Sequence, residues 1–324
     1  MAVIAFESSA HTLGVGIVAD GKILANVRRM YPITDKGIVP TKVASHHMSS
    51  LRGAISEAFE TSGISIDEID AIGYTKGPGI GPCLSIGCIA AKTLAMKYRK
   101  PIVPVNHAIA HIEITKHING FNDPLAIYVS GGNSQILGLE RGIGRYRVYG
   151  ETLDIGLGNM LDSFARYAGM VPAWGSSVAK AAESGSYIEM PYTVRGMDFA
   201  FTGLLTHAQH MLESHSVNDV SYSLQETAFS MVCEAAERAL LLTDKDAIVL
   251  SGGVAQSSRL RQMLGYLCED HSVRFGVAPN EYNADNGAMI ALTAEKMFNS
   301  GISSPASSCG IDQKYRIDKV DVKW

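Results

Sequence analysis

The 324-residue sequence has only five cysteines, Cys83, Cys88, Cys233, Cys268 and Cys309, scattered and without a CxxC pair. An odd number at such spacings fits neither a disulfide framework nor a thiolate zinc site, and it suits free thiols in a reducing cytoplasm. Long apolar runs are missing as well. The most hydrophobic stretch, CLSIGCIAAKTLAM, is short and carries Lys92, so no membrane span is expected. The opening MAVIAFESSAHT has no basic segment followed by a long apolar one and does not read as a signal peptide. Nor is positive charge in excess: 28 Lys and Arg against 32 Asp and Glu give a net charge of −4, so no broad basic face for nucleic acid is advertised. The short basic groups Arg28–Arg29 and Lys97–Lys100 read as solvated surface. No GxxxxGK[ST] occurs, which excludes a P-loop, and no GxGxxG is followed by a suitably spaced acid, which disfavours a dinucleotide fold. These absences leave a cytoplasmic globular protein that does not contact a membrane.

What is present is ordinary for that class, with 46% hydrophobic and 19% charged residues, and the length calls for two lobes. AVIAFESS, LGVGIVAD and KILANVRRM are two apolar runs and a half-polar one joined by short turns, the pattern of a β-meander. PLAIYVSGG, SQILGLERG and RYRVYGETL repeat it from near residue 124. Helix and strand alternate after each meander: SSLRGAISEAFETSG, IDAIGYTKGPGIG, LSIGCIAAKTLAMKY and PIVPV in the first copy; YSLQETAFSMVCEAAERALLL, AIVLSGG, SSRLRQMLGYL and VRFGVAP in the second. The expectation is an α/β fold of two duplicated lobes, each a mainly parallel sheet between helices. Lobe I would span residues 1–106, with about 292–324 returning to pack on it, and lobe II residues 107–291. NSGISSPASSCG reads as a mobile loop.

Three glycine-bearing loops follow short apolar strands: Ser130-Gly131-Gly132, Ser251-Gly252-Gly253 and the GPGIG of Gly77–Gly81. Glycines at strand ends let backbone N–H groups approach an anion. Near them lie Glu7, Asp162 and Asp285, residue types that hold a metal, a water or a ribose hydroxyl; for Asp285 the competing role is to cap the helix that starts at DNGAMIALTAEKMF. VNHAIAHIEITKHI then puts His107 and His111 one turn apart on a helical face. Two imidazoles alone are more often satisfied core or surface residues than ligands, and a metal site needs a third donor from elsewhere. A duplicated unit of this kind, with facing glycine loops, describes the actin, sugar-kinase and Hsp70 ATPase architecture, with nucleotide in a central cleft.

The long motifs ETLDIGLGNMLDSFAR, MPYTVRGMDFAFTGLL, GPGIGPCLSIG, VNHAIAHI, YVSGGNSQI and NADNGAMIA resemble the tRNA N6-adenosine threonylcarbamoyltransferase family, formerly called O-sialoglycoprotein endopeptidases, over nearly the whole chain. GMDFAFTGL and Tyr128 before SGG resemble the archaeal and eukaryotic branch, the catalytic subunit of the KEOPS complex. The resemblance implies that His107, His111, Asp285 and Tyr128 hold Fe2+ or Zn2+. It places the substrate on Tyr128, Val129, Ser130, Gly131 and Gly132, with Asp162, Gly175 and Ser257 lining the pocket, where ATP or AMP can occupy the same site, with Mg2+. Two positions depart from the family pattern. VPAWGSSVAKAA replaces a PGGP-like run and puts Ala179 where a glutamate is usual, and GGVAQSSRL puts Ser257 where an asparagine is usual, which alters the contacts to the nucleotide sugar.

The implied reaction moves a threonylcarbamoyl group from threonylcarbamoyl-AMP to N6 of adenosine 37 in tRNAs that read ANN codons, giving t6A and AMP. The implied partners are tRNA, an atypical small kinase subunit that is fused to this chain in some archaea, and a small dimerising subunit. YRIDKVDVKW is compatible with a domain cut from such a fusion. Lys42, Arg195 and Arg259 are candidate RNA contacts. A zinc peptidase fits badly, because HExxH needs a glutamate where Ala108 stands. A small-molecule kinase on the same fold leaves the two histidines without a role, and a non-catalytic scaffold is the reading that the AWGSS segment keeps open.

Overall fold

The computed structural model describes residues 1–32 and 39–324. The chain divides into two compact units. Unit 1 comprises Met1–Ile118, Arg141–Tyr146 and Pro279–Trp324, and unit 2 comprises Asn119–Glu140 and Arg147–Ala278. The first unit thus runs to Ile118 rather than 106, and its returning segment starts at Pro279 rather than near 292. The cause is hydrophobic: Ala110 and Ile114, which follow the histidine pair, share one core cluster with Ala288, Ile290, Leu292 and Met297, under the same face of a sheet. Both segments therefore belong to unit 1.

Unit 1 is built from β1 (Ala2–Glu7), β2 (Thr12–Ala19), β3 (Lys22–Met30), α1 (Pro40–Ser62), β4 (Ile69–Gly77), α2 (Gly81–Tyr98), β5 (Ile102–Asn106) and α3 (His107–Asn119). Its sheet order is β3-β2-β1-β4-β5, antiparallel between β1 and β2 and parallel between β1 and β4. β1 is buried along its whole length, and its side chains alternate: Ala2, Ile4 and Phe6 enter one core cluster, Val3 and Ala5 the other. Burial of a side chain such as Phe6 contributes about 1.5–3 kcal/mol. α1 begins at Pro40 because proline is pre-set for a first helical position, and stops at Gly63, whose φ of 71° suits a left-handed cap.

Unit 2 repeats the plan with β6 (Leu125–Val129), β7 (Ser134–Glu140) and β8 (Arg145–Glu151, whose first two residues fall in unit 1), then α4 (Leu157–Tyr167), α5 (Gly175–Ala182), the two-stranded β9 (Val194–Arg195) and β10 (Asp198–Phe199), and α6 (Thr202–Met211). α7 (Val217–Leu242), β11 (Ala247–Ser251), α8 (Ser258–Asp270) and β12 (Arg274–Val277) complete it. The order β12-β11-β6-β7-β8 again has the first strand central, antiparallel to the next and parallel to a later one. The duplicated meander is therefore real. α9 (Asn280–Asn283) and α10 (Gly287–Asn299) lie in unit 1, and the segment read as a mobile loop is tied to β5 through Ser304 N–H donating to Ile102 O at 2.8 Å. All five cysteines are free, and among the described residues no helix is long and apolar enough to cross a membrane.

Candidate metal centre and the glycine loops

β5 runs straight into α3, and Asn106 makes the join: its Oδ1 accepts from Ile109 N–H at 3.1 Å and its Nδ2 donates to Tyr315 O at 2.8 Å. This sets His107 at the helix start and His111 one turn on, with ring centroids 4.7 Å apart and planes at 88°. Asp285 immediately precedes α10. The capping role that competed for it belongs to its neighbour: the Asn286 side chain accepts from Met289 N–H at 3.0 Å and donates to Tyr282 O and Ala284 O. Asp285 is thereby left for other work.

The approach of α10 to the sheet depends on glycine. A Cβ on Gly16 would lie 2.2 Å from Gly287 C, and one on Gly14 would lie 2.5 Å from Gly287 N. Side chains at these β2 positions would push the α10 start, and Asp285 with it, away from the histidines. The alternating glycines of LGVGIVAD carried that signal, since glycine inside a strand often marks close backbone approach.

One donor atom each from His107, His111 and Asp285 lies within 4.8 Å of the others. Asp285 Oδ1 sits 3.3 Å from His111 Nε2 and 3.5 Å from His107 Nε2. Two imidazole nitrogens and a carboxylate oxygen fit a borderline divalent cation, whose bonds to such donors are about 2.0–2.2 Å long. Electrostatics agree. Burial alone would push the His107 imidazole down, but the Glu7 and Asp285 carboxylates outweigh it and raise it to about 9. Burial pushes His111 down, and the charge of His107 adds to that effect over the bond from Asp285. Against its own burial, the Asp285 carboxyl is held well below the usual range by His107 and His111. The pocket thus demands positive charge beside Asp285.

The other expected site residues lie in unit 2. Tyr128 is buried on β6, opposite Gln135 and beside Ser251, and its ring packs against Gly252. Ser130 and Gly131 carbonyls accept from Gly158 and Asn159 N–H at 3.1 and 3.0 Å, so this loop is stitched to the start of α4. Gly252, at φ 94°, would drive a Cβ to 2.3 Å from Val129 O, whereas Gly132 and Gly253 have nothing within 4 Å of a Cβ position. In each SGG loop the last glycine therefore borders open space. Asp162 and Gly175 do meet: Gly175 N–H donates to Asp162 Oδ1 at 2.7 Å. The Ser257 hydroxyl caps α8 by accepting from Leu260 N–H. A cavity of ≈ 340 Å³ lies beside Ser257, lined also by Ala179, Glu183, Gln225, Glu226 and Arg259. Arg259, a candidate RNA contact, is instead held by Glu226 through bonds of 2.6 and 2.8 Å.

Two sheets of this shared topology with their helices define an actin-like ATPase fold. HypF from T. kodakarensis superposes with a TM-score of 0.66 at 16% identity over 92% of this chain and 48% of that one, and an activator of 2-hydroxyisocaproyl-CoA dehydratase from Clostridium difficile with 0.54 at 12% identity over 94% and 99%. Sequence comparison goes further. The profile of the tRNA N6-adenosine threonylcarbamoyltransferase family matches residues 22–292, and the protein of that name from Thermococcus gammatolerans is 48% identical over all of both chains. A "Probable bifunctional tRNA threonylcarbamoyladenosine biosynthesis protein" of Thermoplasma volcanium is 44% identical, with this chain spanning 62% of its length. The chain belongs to the tRNA N6-adenosine threonylcarbamoyltransferase family, and its activity is that of a tRNA threonylcarbamoyltransferase.

Proposed function

We propose that this protein transfers the threonylcarbamoyl group of threonylcarbamoyl-AMP to N6 of adenosine 37 in tRNAs reading ANN codons, as the catalytic subunit of a KEOPS-type complex in the cytoplasm. The observation that carries the reading is the convergence of His107, His111 and Asp285 donors within 4.8 Å, in a chain of this family. In this reading these residues and Tyr128 hold Fe2+ or Zn2+. Such a cation, when bound, supplies Lewis-acid neutralisation of charge on carbonyl or phosphate oxygens.

The chain's own residues do the rest. The open backbone at Gly132 and Gly253 receives the phosphate, as strand-end glycine loops receive anions. The nucleoside lies towards Asp162, Gly175 and the cavity beside Ser257, whose ≈ 340 Å³ is within the range of small-ligand pockets. Ala179 offers no carboxylate there, so the sugar is contacted differently from the usual family pattern. The N6 lone pair forms a bond to the carbamoyl carbon, the bond from that carbon to the phosphate oxygen breaks, AMP leaves with the electron pair, and the N6 proton passes to phosphate or solvent. Because adenosine 37 is in an unpaired loop, presenting it costs less than extracting a base from a duplex.

The net charge of −4 argues that partners provide much of the tRNA affinity. A small kinase subunit and a small dimerising subunit fill that role in this reading, and the longer Thermoplasma protein, called bifunctional, is consistent with a fused partner. The test is transfer of labelled threonylcarbamate from threonylcarbamoyl-AMP to tRNA by the wild type and by His111→Ala, with partners supplied. Equal transfer by both would remove the cation from the reaction, and no transfer by either would overturn the catalytic reading. Tyr128 is tested separately: loading with Fe3+ should give a phenolate-to-iron absorption band that Tyr128→Phe abolishes.

A further inference from the structure

Glu7 ends β1 with its side chain fully buried, an expensive place for a carboxylate without partners. Three donors converge on it. Ser9 N–H donates to Oε1 at 2.5 Å, Thr75 Oγ1 to Oε2 at 2.6 Å, and His107 Nδ1 lies 3.0 Å from Oε2. Thr75 comes from β4, the parallel neighbour of β1, and Gly14 on β2 leaves only 3.1 Å between a Cβ position and Glu7 Cβ. The carboxylate is therefore held by donors from β4, from the turn after β1 and from the start of α3, with both of its oxygens bonded.

From this geometry we infer that Glu7 is the positioning residue of the metal centre: it holds the His107 proton on Nδ1 and so presents the Nε2 lone pair to the cation beside Asp285. An ionised carboxylate only accepts, so the ring nitrogen facing it must donate. The other nitrogen is then the ligand atom, in a carboxylate–histidine–metal relay. Thr75 and Ser9 act through Glu7 by fixing its two oxygens. This inference rests on the proposed metal reading of His107, His111 and Asp285.

Glu7→Gln tests it at nearly constant shape. An amide has one accepting oxygen for three converging donors and must point its NH2 at some of them. The arrangement then strains, or the His107 proton moves to Nε2. Co2+ binding to the full chain, followed by its visible absorption and by chelator competition at one pH, should weaken by about 10–100-fold in Glu7→Gln. Thr75→Val keeps the carboxylate but removes one of the two donors on Oε2, and should weaken binding several-fold. A Kd for Co2+ within twofold of wild type in Glu7→Gln would overturn the inference, even with a lowered melting temperature, because burial without positioning moves stability alone. If Glu7→Gln does not fold, unchanged affinity in Thr75→Val overturns it. A wild type that binds no Co2+ would overturn the metal reading and this inference with it; a wild type that binds, with variants indistinguishable from it, would overturn only the inference.

Discussion

The two units repeat one plan and bury different chemistry. Among the described residues, every buried Asp, Glu, His or Lys side chain is in unit 1: Glu7, His47, His107, His111, Glu113, Lys116 and Glu295. The buried polar side chains of unit 2 are neutral, such as Ser134, Ser223, Gln225 and Ser251. The strand ends show it most sharply. β1 closes on Glu7 and leads into Ser8-Ser9, while the equivalent β6 closes on Val129 and leads into Ser130-Gly131-Gly132. A cation needs side-chain donors held against their desolvation cost, and an anion can be met by backbone N–H groups, which need only glycine. One duplicated scaffold thus buries charged side chains in one copy and neutral polar groups beside glycine loops in the other, a difference that the shared fold does not dictate.

The largest expected effect is on the charged side of this contrast. Asp285→Ala or His111→Ala removes one of three converging donors, so metal content after dialysis should fall to background. Transfer to tRNA should drop by more than about 100-fold, since Lewis-acid stabilisation amounts to several kcal/mol. Retained metal in either variant would mean that the donors of unit 1 are not the ligands.

Next in size is the glycine contact that delivers Asp285. Gly16→Ala places a methyl 2.2 Å from Gly287 C, between two backbones that have no flexible side chain to yield. Overpacking of this kind costs about 1–3 kcal/mol. The melting temperature should fall and metal affinity with it, because α10 must shift. Gly132→Ala is the counterpart in unit 2. Its Cβ meets nothing within 4 Å, so stability should stay within about 0.5 kcal/mol of wild type. AMP binding should weaken, since the methyl enters the space assigned to phosphate. If Gly132→Ala instead destabilises and leaves AMP affinity intact, that loop is a structural turn and the division between the units fails.

Much of this contrast is legible in the sequence, and its limits are physical. The meanders show through their alternation and turns, and the paired histidines through the helical repeat. HxxxH could not reveal the third converging donor, because Asp285 arrives through the packing of α10 on β2, a contact that Gly14 and Gly16 are spaced for but do not name. Asn286 rather than Asp285 caps α10, and adjacent polar residues at a helix start do not say which one points where. The limits of the units are hidden for the same reason: α3 and the 279–291 segment join unit 1 through a shared hydrophobic face, not through sequence adjacency. Glu7 stood out only as an acid near a strand end. Its bond to His107, a hundred positions on, needs the β1–β4–β5 register to exist.

The smallest effect concerns acid. Glu113 on α3 is buried between Lys116 and Lys296, bonded at 2.6 and 2.8 Å. Burial alone would raise its carboxyl, but the two ammonium groups outweigh that and hold it below its ordinary value. A carboxyl whose folded value is depressed binds fewer protons folded than unfolded. Its stabilisation is complete above the unfolded value and is lost as the pH falls through the interval down to the folded one. Among its described residues unit 2 has no buried Asp, Glu or Lys side chain, so on acidification from pH 6 amide exchange should quicken first in α3 and α10 and later in β6 and β11. Glu113→Gln should lower stability at pH 7 and flatten its dependence on pH below 5. Equal acid sensitivity of both units, or a slope unchanged in Glu113→Gln, would show that burying charge in one copy only has no thermodynamic consequence, and that the contrast between the halves is confined to the metal centre.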